Sequence, residues 1–140
     1  MGLWCYTNGM EPSIFTKIIQ GEIPCHKIYE DDKTLAFLDI NPVAVGHTLV
    51  IPKTQVEFVW DLDEETYHAL RHTVKKVARH LREQLAVPYV GEQIVGVDVP
   101  HAHIHLIPFS AVEEFRHQPR ANHTPDHQAL AALAERLRLS

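Results

Sequence analysis

Apolar residues change their spacing several times along the chain, and each change marks an element. In SIFTKIIQGEIP, Ile14, Phe15, Ile18 and Ile19 fall on one helical face. Ser13 stands before them as an N-cap, and Gly21 and Pro24 end the helix. KIYE and TLAFLDI are short β-prone runs turned by Asp31-Asp32. NPVAVG is a loop by its proline and glycine, and the β-branched HTLVIP resumes as a buried strand. From Asp63 to Leu85 the spacing becomes helical: Leu70, Val74, Val77, Leu81 and Leu85 recur three and four apart, behind a capping Asp63 with Glu64 and Glu65 in the first turn. Pro88 stops that helix. GEQIVGVDV and HAHIHLIP follow as strands, and a last helix opens near Thr124-Pro125-Asp126 with Leu130, Leu133 and Leu137 on one side.

This pattern predicts an α+β fold, an antiparallel sheet of about five strands with one long helix and a short N-terminal helix packed on it. Residues 1–10 are expected as a flexible extension, 11–112 as the domain, and 113–140 as a tail with a terminal helix. The tail from Glu113 to His127 carries His117, His123 and His127 and is broken by Pro119 and Pro125; it is expected as a solvated polar loop, with a lid or a reach into a partner's site as the alternatives.

At 140 residues the chain can bury one core unaided. A net charge of -5, with no basic run longer than Lys75-Lys76, disfavours a nucleic-acid polymer as partner but leaves a single nucleotide open. Cys5 and Cys25 are too few for a disulfide framework. No apolar run approaches membrane-spanning length, and MGLWCYTNGM lacks the features of a signal peptide, so the expected location is cytoplasmic.

HAHIHLIP then raises a chemical question. In an extended chain His101, His103 and His105 share one face while Ala102, Ile104 and Leu106 share the other. Three imidazoles can face solvent without a task. A His-x-His pair can bind zinc with ligands from elsewhere, although His101 and His105 would lie roughly 13 Å apart along a strand. The third reading is chemistry on a phosphate, with a neutral imidazole attacking and a protonated neighbour neutralising charge and protonating a leaving group. A rigid strand supplies the positioning that phosphoryl transfer needs, and this reading explains the alternation best.

HAHIHLI resembles the signature of the histidine triad (HIT) family, His-φ-His-φ-His-φ-φ with φ apolar. SIFTKIIQGEIPCHKIYEDDKTLAFLDINPVAVGHTLVIPK, residues 13–53, is similar to the first half of that family's nucleotide-binding branch, so the likeness spans about half the chain. It implies a HIT-like fold and a homodimer whose sheet continues between subunits. It further implies a nucleotidyl hydrolase or transferase that cleaves a purine nucleoside monophosphate from an amine (a phosphoramidase), without a cofactor. His103 would be the nucleophile, His105 would sit at the bridging atom of the leaving group, and His101 would orient the site with His47 as its hydrogen-bonding partner. The nucleoside would lie among Ile14, Phe15, Ile18, Ile23, Phe37 and Ile40, with Asp39 on the ribose hydroxyls beside Asn41; an ordinary core would use several of these residues equally well. The rivals are dinucleoside polyphosphate hydrolysis and a non-catalytic nucleotide-binding or interaction module.

Two departures stand out. Where the branch has Gly-Gln-Ser or Gly-Gln-Thr before the triad, this chain has Gly96-Val97-Asp98. An ionised Asp98 at 4 Å from a phosphate would cost about 4 kcal/mol in an effective dielectric near 20, so it is expected to turn away, pair with a histidine or hold a cation. Many bacterial members carry a Cys-x-x-Cys that helps bind a structural zinc; Ser13 and Thr16 occupy those places, and no metal is expected.

Overall fold

The computed structural model describes residues 11–119 and 123–139, so the extension expected at 1–10 lies outside the described residues. Ser13 caps the first helix as its position predicts. Its Oγ accepts the Thr16 amide at 3.0 Å, and α1 runs over Ile14–Ile19. β1 (Lys27–Glu30), β2 (Thr34–Leu38) and β3 (Thr48–Pro52) follow as an antiparallel meander, its first turn held by Asp31, whose Oδ1 accepts the amides of Lys33 and Thr34. Asp63 caps α2 (Glu64–Leu85), and the residues spaced at three and four, Leu70, Val74, Val77 and Leu81, are buried together with Thr73.

That helix ends on Ala86, whose φ of 53° lies in the left-handed region where a Cβ is strained. Ala86→Gly is expected to raise stability by about 0.5–1 kcal/mol, read as a higher denaturant midpoint at unchanged slope.

β4 (Tyr89–Gln93) and β5 (Ile104–Phe109) complete a five-stranded antiparallel sheet in the order β1-β2-β3-β5-β4. One face, with Ile28, Leu38, Val50, Ile104 and Leu106, packs on α2 and on the terminal helix α4 (His127–Leu137) through Leu130, Ala134 and Leu137. Each such fully buried aliphatic side chain is worth about 1.5–3 kcal/mol of transfer from water. The other face holds a smaller cluster of Leu35, Phe37, Leu49 and Ile51 under Phe15 of α1. The registers Phe37 opposite Leu49 and Leu49 opposite His105 put His105 on this second face. Among the described residues, no helix is long and apolar enough to cross a membrane.

Three expectations need correction. GEQIVGVDV is a strand only as far as Gln93; the chain then loops, turning at Gly96 with φ +81°. HAHIHLIP is a strand only from Ile104. His101, Ala102 and His103 precede it because the Ala102 amide bonds Val56 O at 2.7 Å and the His101 amide bonds Val99 O at 2.8 Å, outside any ladder. The start of the segment expected as a solvated loop, Glu113 to Phe115, belongs to a short helix, α3 (Val112–Phe115), with Glu114 accepting the amides of Ser110 and Ala111. Phe115 lies across β4 where Gly91 leaves room, since a Cβ there would come within 2.2 Å of its ring.

Candidate active site

The four histidines of interest are each held in one tautomer by neighbours whose role is not negotiable. His103 Nδ1 lies 2.7 Å from the His101 carbonyl, which can only accept, so Nδ1 carries the proton and Nε2 carries the lone pair. Among the described residues, that Nε2 has no hydrogen-bond partner, yet no buried side-chain nitrogen or oxygen lacks one. It therefore reaches solvent although the residue as a whole is only 3% exposed.

His47 Nδ1 accepts the Val43 amide at 3.0 Å, so its proton sits on Nε2 and is donated to His105 Nδ1, also at 3.0 Å. His105 is left with its proton on Nε2. A lone pair on one ring and an N–H on the next thus stand side by side, their ring centroids 5.1 Å apart. His101 Nε2 donates to Pro52 O at 2.8 Å, and its Nδ1 meets Ser13 Oγ at 2.8 Å.

The expected pairing of His47 with His101 is therefore wrong: His47 bonds His105. The register explains it, because Leu49 faces His105 and Thr48 faces Leu106, which sets position 47 diagonally beside 105 and leaves His101 near Pro52. The expectation of a protonated neighbour also changes. Burial holds His47, His101 and His105 down at about 4, so all three are neutral near pH 7.

A cavity of about 560 Å³, within the usual range for small-molecule sites, opens in front of His105 and His47. Asp39, Asn41 and Asp98 line it. Asp39 accepts the Asn41 amide at 2.8 Å, lies 3.5 Å from His47 Nε2, and has its carboxyl pushed up by burial. Asp98 is exposed on the wall, and no cation lies within 4.0 Å of it among the described residues.

The remaining expected pocket residues are divided. Phe15 sets its edge on His103, with centroids 5.2 Å apart, and on His101 at 5.8 Å, with Phe37 behind it at 5.6 Å. Phe15 and Phe37 are core, 6% and 4% exposed, rather than open walls. Ile18 packs against the same cluster and Ile23 is half-buried, whereas Ile14 and Ile40 are about half exposed. None of these six lines the cavity in front of His105. Its outer wall comes instead from Phe115, Arg116, His117 and Pro119, together with Gln93 and Val95. The tail with His117 was expected to lie in solvent, and Gln93 and Val95 carried no signal of their own.

The donor sets fit a metal poorly. Asp39, His47 and His105 present ligand atoms within 4.8 Å of one another. Binding through His47 Nε2 would force its proton onto Nδ1, against the Val43 amide. Around His101, the hydroxyls of Ser13 and Thr16 stand where thiolates would be needed, and both ring nitrogens are already engaged.

Comparison with known proteins bears on the family and the fold. The HIT domain profile matches residues 20–111. The chain is 45% identical over 104 residues to "Protein hit" of Bacillus subtilis, an alignment covering 70% of this chain and 71% of the relative. It is 41% identical over 96 residues to the adenosine 5'-monophosphoramidase hnt1 of Schizosaccharomyces pombe, covering 68% and 72%. The crystal structure of a Hit-like protein from Bartonella henselae superposes with a TM-score of 0.76 at 31% identity, covering 90% of this chain and 94% of that one. With the triad signature, the sheet order and these likenesses in agreement, the chain belongs to the HIT domain family.

Proposed function

We propose that the protein is a nucleotidyl hydrolase or transferase that cleaves a purine nucleoside monophosphate from an amine through a nucleotidyl-His103 intermediate. The observation that carries this reading is the solvent-reachable, unpartnered Nε2 of His103, whose lone pair is fixed by the bond from Nδ1–H to the His101 carbonyl. In the first step Nε2 bonds the α-phosphorus as the phosphorus–nitrogen bond breaks, its electron pair leaving with the protonated amine nitrogen. The His105 Nε2–H donates a hydrogen bond to that departing atom. In the second step water bonds the phosphorus, the electron pair returns to His103 Nε2, and the released amine takes the proton from water. Asp39 accepts the ribose hydroxyls beside Asn41, the part-exposed Ile14, Ile18, Ile23 and Ile40 border the nucleoside, and Phe15 and Phe37 back the site from the core. The name of the fission-yeast relative supports an amine leaving group. Among the described residues β4 is an edge strand, which supports the reading of a homodimer paired there, and the reading places it in the cytoplasm.

The test compares an adenosine phosphoramidate with a diadenosine polyphosphate. AMP release at least tenfold faster from the phosphoramidate is expected; AMP binding without turnover of either would make the protein a binding module. Asp98→Ser removes a carboxylate from the wall of the cavity in which the reading places the substrate phosphate. It is expected to lower KM three- to tenfold, about 0.7–1.4 kcal/mol, with kcat within twofold, in steady-state assays at low salt.

A further inference from the structure

The nucleophile's orientation is traceable to a cluster of side chains that do not touch the reacting atoms. Gln55 Oε1 accepts both the Ser13 amide at 2.8 Å and the Thr16 hydroxyl at 2.5 Å, while Gln55 Nε2 donates to Glu11 O at 2.8 Å. The Thr16 amide donates to Ser13 Oγ at 3.0 Å. With the Thr16 proton committed to Gln55, the donor left for His101 Nδ1 is the Ser13 hydroxyl, at 2.8 Å. His101 is fully buried and its Nε2–H is committed to Pro52 O, so Nδ1 can only accept. The carbonyl of this same residue receives the His103 Nδ1 proton.

We propose that Ser13, held by Thr16 and Gln55, is a positioning residue for the nucleophile: its hydroxyl locks the His101 ring, and the locked His101 backbone keeps the His103 lone pair on Nε2. Removing that hydroxyl strands a buried acceptor, which the protein relieves by turning the ring or protonating it. A turned ring shifts the backbone that carries the carbonyl fixing His103, and a protonated ring sets a positive charge beside the His103 imidazole. The same helix end carries Phe15, whose ring edge rests on both histidines, so α1 sets the nucleophile from two sides. The consequence for turnover rests on the reading of His103 as nucleophile; the effect on its tautomer does not.

Ser13→Gly separates the hydroxyl from the helix cap, because glycine retains most of the N-cap preference. Imidazole 15N shifts report the tautomers directly. In the wild-type protein, Nδ1 of His103 should be the protonated nitrogen and Nε2 the bare one. In Ser13→Gly, the His103 signals should move toward a mixture, and Ser13→Thr should restore the wild-type pattern. If the protein turns over a phosphoramidate, Ser13→Gly should lose ten- to a hundredfold in kcat with KM within threefold, and Ser13→Thr should recover to within threefold. An unchanged His103 pattern in Ser13→Gly overturns the proposal, whether or not activity falls, since loss of activity alone would mean a merely structural role. A shifted pattern in a protein without phosphoramidase activity upholds the positioning and rejects the proposed reaction.

Discussion

His103→Ala should release AMP from an adenosine phosphoramidate at least about 10⁴-fold more slowly than the wild-type protein, because among the four histidines of the site only His103 offers a fixed lone pair to the phosphorus. His105 cannot substitute. Its Nδ1 is occupied by the His47 proton and its Nε2 already carries one. AMP should still bind, with Kd within about threefold, since the cavity wall at Asp39 and His47 is untouched. His103 packs against Phe15, so His103→Gln, which fills more of the space, serves as a second variant and should be equally inactive. Activity above about one-hundredth of wild type in both variants would remove His103 from the chemistry.

Acid should unfold the protein over a window set by the same histidines. His47, His101 and His105 sit at about 4 in the fold, because burial penalises the charged ring, against about 6.5 in an unfolded chain. Between those values the unfolded state binds protons that the native state refuses. The stability from neutral burial is therefore fully present above about pH 6.5, falls as pH drops, and changes no further below about 4. With three such groups the steepest slope is about 4 kcal/mol per pH unit. Denaturant titrations at pH 7, 6 and 5 should show the midpoint falling steeply, and His101→Asn should reduce the slope by about a third. A midpoint that stays level from pH 6.5 to 5 would show that these rings are not held neutral.

The elements that could be read from the sequence are those whose signals are local. Ser13 and Asp63 cap helices within three residues of themselves, and the apolar spacing from Leu70 to Leu81 states which side of α2 is buried. The strand expected over all of HAHIHLIP shows where local reading stops. Alternation is the same whether the backbone pairs with a strand or not, and the backbone of residues 101–103 pairs with Val56 and Val99 instead. His47 was expected beside His101 and stands beside His105 instead, since only the β3–β5 register decides between the two. Ser13 was read as a cap, and its second bond, to a histidine 88 positions away, had no local signature. Likewise the tail from Phe115 to Pro119 looked like solvent-facing loop because its reason for staying, the space over Gly91, lies on another strand. The apolar residues expected around the nucleoside carry no local sign that separates a core from a base-binding wall, and Phe15 and Phe37 are buried in the second cluster.

The stereochemical course at phosphorus tests the central claim most directly. Each in-line displacement inverts the configuration, so attack by His103 followed by attack by water returns the original one. A phosphorothioate analogue of the phosphoramidate, chiral at the α-phosphorus and hydrolysed in labelled water, should give product with net retention. Net inversion would mean that water attacks directly and that the lone pair on His103 never bonds to the substrate.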